Sequence, residues 1–109
     1  MARISKSKKV TATKLEADKI AASVMQRAGF MYGQYPDDGT MIWFKKNAAG
    51  ICQYCVYVDV IGGYLTVEAW DNHTLNGNKE DALTIFILGV DFTAMKVKKL
   101  MDEIYNAIN

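Results

Sequence analysis

A chain of 109 residues, half of them hydrophobic, with a mixed charged fraction of 23% and a formal net charge of +1, is expected to form one globular domain that needs no disulfide or metal staple. That composition excludes a disordered chain, and no stretch approaches the ~18 consecutive apolar residues of a membrane span. The amino terminus lacks the apolar run and the small-residue cleavage site of a secretory signal, so the cytoplasm is the expected compartment.

The charge is unevenly placed. Arg3, Lys6, Lys8, Lys9 and Lys14 precede the first acidic residue, Glu16, giving +5 there against −4 over the rest of the chain. Residues 1–12 show no sustained period and are expected to be a disordered basic tail on a single domain spanning residues 13–109. Such a tail either solubilises the chain or serves as an arm for nucleic acid.

Thr13-Lys14-Leu15-Glu16 has the pattern of a capping box. Ala17, Ile20, Ala21, Val24, Met25 and Ala28 then recur at three- and four-residue steps, which predicts a helix from Lys14 to Ala28, with Gly29 as its C′ residue. A short strand over Phe30–Gln34 follows. The turn sequence Tyr35-Pro36-Asp37-Asp38-Gly39 leads to a strand over Thr40–Lys46, whose Lys45 and Lys46 suit a charged sheet rim.

The strongest signal lies between Ile51 and Asp71, where two alternating runs flank Gly62-Gly63. A two-residue loop needs positive φ, which glycine supplies without a Cβ clash. That loop pairs Ile61 with Tyr64, Val60 with Leu65, Val58 with Val67 and Val56 with Ala69. The two-residue period puts Val56, Val58, Val60, Leu65, Val67 and Ala69 on one face, and Cys55, Tyr57, Asp59, Ile61, Tyr64, Thr66, Glu68 and Trp70 on the other.

Asp71–Asp81 is a polar, Asn-Gly-containing segment of loop length. As a calcium loop starting at Asn72 it fails, because Leu83 falls where a bidentate Glu must sit. His73 beside Asp71 has the chemistry of a general base, but a base alone lacks a nucleophile, and an exposed polar loop explains both residues. Ala82–Val90 reads as a strand buried on both faces. Asp91 or Thr93 is expected to cap a last helix with an apolar stripe of Val97, Leu100, Met101, Ile104 and Ile108.

Without βαβ alternation the chain is expected to be α+β: an antiparallel four- to five-stranded meander sheet with the N- and C-terminal helices packed on its aliphatic face. Catalytic signatures are missing. Cys52 and Cys55 point to opposite faces of a strand, unlike a redox or zinc C-x-x-C. No nucleophile elbow, Walker loop or dinucleotide fingerprint is present, and Asp59 and Glu68, on one sheet face, read equally well as surface acids or as a glycosidase-like carboxylate pair. No enzyme activity, metal or cofactor is expected.

The outer sheet face carries the functional expectation. Tyr57, Tyr64, Trp70 and Ile61 form an aromatic patch suited to a protein partner or a second copy, and a homodimer is expected. Stacked bases, or the chain's own terminal segments, are the other candidate occupants. The absence of Arg and Lys between Ile51 and Asn78 favours protein over nucleic acid. An adaptor or inhibitor, of the kind found among small accessory proteins of phages and mobile elements, fits these features. Nucleic-acid binding through Arg3, Lys6, Lys8, Lys9 and Lys14 is the alternative, and small-molecule binding the second.

Overall fold

The structure, a computed structural model, describes residues 4–35, 38–46, 52–73, 79–81 and 92–109, with 52, 53, 71–73, 79–81 and 92–96 described as backbone alone. In chain order the elements are β1 (Ile4–Lys9), α1 (Lys14–Arg27), β2 (Met31–Gln34), β3 (Met41–Lys46), β4 (Cys52–Ile61), β5 (Tyr64–His73), β6 (Lys79–Asp81) and α2 (Phe92–Ala107). The strands form one sheet in the order β1-β5-β4-β3-β2, with β6 also paired to β5. All pairings are antiparallel. The α+β class, the β2-to-β5 meander and the two helices on its aliphatic face are as the sequence predicts.

The hairpin has the predicted register, with Ile61 opposite Tyr64 and Val56 opposite Ala69. Gly62 and Gly63 have φ of 59° and 81°, the left-handed pair that a twist-matched two-residue turn requires. The face carrying Val56, Leu65, Val67 and Ala69 is buried against Ala17, Ala21, Val24 and Met25 of α1 and Val97, Met101 and Ile104 of α2. The capping box is formed: the Thr13 hydroxyl accepts from the Glu16 N–H at 3.1 Å, and the Glu16 carboxylate accepts from the Thr13 N–H at 3.2 Å. Helix α2 starts at Phe92, so Thr93 is not its cap; Asp91 lies outside the described residues.

The amino terminus differs most from expectation. Ile4–Lys9 is not a mobile tail but a strand, laid along β5 with Ile4 opposite Ala69 and Lys9 opposite Tyr64. Alternation sends Lys6 and Lys8 toward α2, where their ammonium groups lie over Tyr105, 5.1 and 4.7 Å from its ring centre. Lys6 ends at Asp102, 2.6 Å away. A cation over an aromatic face is attracted by the ring quadrupole, so a strand with little apolar character still packs. The chain leaves β1 through Val10, whose N–H donates to Gly63 O, while Thr11 and Ala12 both donate to Asn109 O.

The segment expected as a polar loop is also partly ordered as sheet. Asp71, Asn72 and His73 continue β5 and pair with Asp81, Glu80 and Lys79 of β6. A neighbouring strand outweighs the low strand propensity of Asp and Asn. The strand expected over Ala82–Val90 lies outside the described residues.

Candidate protein-interaction surface

The outer face of the sheet, opposite the helices, divides into a closed half and an open half. In the closed half, Trp70 is 0% exposed and packs with Tyr35, Ile42 and Cys55, flanked by Phe44 and Tyr57. The Tyr35 ring meets Trp70 edge-on at 5.3 Å, a favoured geometry for the aromatic quadrupole. Trp70 is therefore a core residue of a second apolar cluster and not part of an exposed patch. Period-two alternation identifies the face a residue is on, and it is silent on what covers that face. Tyr35 was missed because it stands beside Pro36 in a turn sequence. Its N–H donates to Thr40 O at 2.7 Å and its carbonyl accepts from the Gly39 N–H at 2.9 Å, and this tight return holds the ring inward.

In the open half, nearest the Gly62-Gly63 turn, Ile61 and Tyr64 are 70% and 55% exposed and stand side by side as a cross-strand pair. Lys9 of β1 lies opposite Tyr64 on its other side, and Ser7 and Thr66 approach to 3.3 Å through their hydroxyls. Tyr57 sits between the two halves, half-buried, and donates to Asp59 Oδ2 at 2.7 Å. Asp59 Oδ1 accepts from the Val60 N–H at 2.8 Å and faces the Lys14 ammonium at 3.1 Å.

These contacts set the electrostatics. Burial pushes the Tyr57 phenol up to about 12, with the hydrogen bond to Asp59 and the charges of Asp59 and Glu68 acting the same way. For Asp59 burial raises the carboxyl, but hydrogen bonds from Tyr57 and Lys14 outweigh it and hold it below the usual range. Lys14 is raised, chiefly by its hydrogen bond to Asp59. Asp59 is thus an ionised acid held in place by Tyr57, Lys14 and the Val60 N–H.

Of the residues considered for a nucleic-acid arm, Lys6 and Lys8 are drawn onto α2, Lys14 bridges Asp59 and Asp18, and Lys9 is exposed. Arg3 lies outside the described residues. Asp71 and His73 occupy alternate positions of β5, and their side chains also lie outside the described residues. Cys55 is a buried thiol. Among the described residues no group of three His, Cys, Asp or Glu is gathered, and no helix is long and apolar enough to cross a membrane.

One further concavity, of about 450 Å³, opens between the end of α1, β3 and α2, lined by Arg27, Phe30, Lys45, Val97, Leu100 and Glu103 among others. Lys45, expected on a solvated rim, donates to Ala28 O at 3.3 Å and so meets the negative end of α1. Arg27 is paired with Glu103 at 3.0 Å. Comparison with protein-family models, curated proteins and solved structures finds no match to this chain.

Proposed function

We propose that the chain is a non-enzymatic protein-binding domain, of adaptor or inhibitor type, that holds its partner on the open half of the outer sheet face. One observation carries this: Ile61 and Tyr64 stand 70% and 55% exposed next to each other on a face whose Trp70 and Tyr35 are buried. An aliphatic and a tyrosine side chain opposed across two strands, rimmed by Lys9, Ser7, Thr66 and Asp59, have the apolar-centre and polar-rim composition of an interface anchor. The cytoplasm suits such a domain, since a buried thiol such as Cys55 persists there without oxidation.

The test uses photo-crosslinking from position 64 to isolate the partner, followed by titration of that partner with Ile61→Ala/Tyr64→Ala. Binding weakened more than tenfold, with the unfolding midpoint unchanged, is the expected result. A crosslinked partner whose affinity survives the double substitution would remove the face from consideration.

A further inference from the structure

The two lateral edges of the sheet are built in opposite ways. β1, ISKSKK, carries Lys6, Lys8 and Lys9, and lysines on an edge strand oppose pairing with another chain. β2, MYGQ, carries no charge. Met31 and Tyr32 are 49% and 52% exposed, and Met41 beside them on β3 is exposed as well. Among the described residues nothing pairs beyond β2.

We propose that β2 is a dimerisation edge, to which a second copy of this chain adds its own β2 antiparallel, with Gly33 opposite Gly33 of that copy. The register follows from three constraints. Tyr35 donates its N–H inward to Thr40, so by alternation residues 33 and 31 also bond toward β3, while the N–H and C=O of Tyr32 and Gln34 point out of the sheet. Directly opposed residues share a face, so in a twofold pair their numbers must sum to an even value. With Tyr32 opposite Gln34 of the second copy, both outward residues on each side are used, and each pair exchanges both of its backbone bonds. A slip one way requires the Phe30 N–H, already donated to Met25 O at 3.0 Å. A slip the other way requires an N–H from Pro36, which proline lacks.

Gly33 is compatible with this register. A glycine inside a strand weakens it unless something approaches closely. A Cβ at Gly33 would lie 2.9 Å from Phe44 Cε1, so the Phe44 ring occupies the space a side chain would need. In the proposed seam the two glycines face each other across a closely spaced pair, flanked by both rings. On the helix side the Tyr32 ring meets that of Trp43 at 4.8 Å, tilted by 45°, and a groove of about 280 Å³, bounded by Asp18, Ala22, Gln26, Tyr32 and Trp43, is left beside α1. A second copy suits this edge because a twofold axis brings a charge near it close to that charge's own image, and β2 carries none.

Four-residue strands make a contact at the small end of specific interfaces, so association in the micromolar range or weaker is expected. The test is light scattering and sedimentation of the full chain over a concentration series. The wild-type chain is expected to dimerise, and Tyr32→Lys/Gln34→Lys and Tyr32→Glu/Gln34→Glu to be monomers with unchanged circular dichroism. Mixing the two variants places opposite charges across both outward pairs and is expected to restore a heterodimer. Gln34→Pro, which removes an outward N–H that β3 does not use, is expected to give the same loss should the Tyr32 variants fail to fold. A wild-type monomer at millimolar concentration, a dimer that survives like charges, or failure of the mixture to pair would each overturn the proposal. So would loss of the dimer in Ile61→Ala/Tyr64→Ala, because the second copy would then sit on the hairpin face.

Discussion

Replacing Trp70 by alanine distinguishes a buried outer half-face from an open one. The side chain is fully buried, and the Tyr35 ring rests edge-on against it. Truncating a buried tryptophan costs about 3–5 kcal/mol, because the lost transfer energy is joined by an incompletely collapsed cavity. Native domains are stable by only about 5–15 kcal/mol, so Trp70→Ala removes a large share of the whole. With a urea dependence of about 1–3 kcal/mol per molar for a small domain, a loss of ~4 kcal/mol moves the midpoint down by about 2 M. Trp70→Phe keeps a ring against Tyr35 and is expected to lose markedly less. Ile61→Ala and Tyr64→Ala, on the open half, are expected to stay within about 0.5 kcal/mol of the wild type. Urea unfolding followed by far-UV circular dichroism measures all four, and Trp43, the only tryptophan left in Trp70→Ala, gives a second probe by fluorescence. A loss below about 1 kcal/mol in Trp70→Ala, or a larger loss in Ile61→Ala, would refute the division of the outer face.

Thr13→Ala removes the cap hydroxyl of α1 and is expected to cost about 1 kcal/mol in the same urea experiment; no change would mean that the helix start is held by other contacts. A chain beginning at Val10 exposes the β5 edge and the apolar ring of Tyr105, so a lower thermal midpoint and concentration-dependent aggregation are expected by calorimetry and light scattering. Near-UV absorbance should show one tyrosine ionising near pH 12. Since the folded value lies above the ordinary ~10, the stability linked to Tyr57 is present below about pH 10 and is lost as pH rises through about 12. Asp59→Asn, which removes the charge facing the phenol, is expected to lower that titration, and an unshifted curve would exclude the contact. The depressed carboxyl of Asp59 acts in the opposite window, its contribution being present above about pH 4 and lost as pH falls further.

Elements whose cause is local were legible. The capping box, the apolar stripes of both helices and the glycine turn with its register depend on residues a few positions apart, and the periods of 3.6 and 2 assign their faces directly. The α+β class follows from the order of those elements. Elements whose cause is distant were not. Lys6 and Lys8 have no pattern of their own and become strand because β5 offers a ladder and Tyr105 offers a ring face for their ammonium groups. Asp71–His73 extend β5 because β6 pairs with them.

The candidate surface divides along the same line. The sequence alone determined that Ile61, Tyr64, Tyr57 and Trp70 share a face, since alternation and a two-residue turn leave one register that buries the valines. Only the tertiary structure decided that Trp70 is core while Ile61 and Tyr64 stay open, because burial depends on what the rest of the chain lays over a face. The same holds for the sheet edges. Composition shows one charged and one neutral segment, but that the charged one is a strand, which strands lie at the edges, and which backbone groups of β2 point outward, is set by the pairing order of the whole sheet.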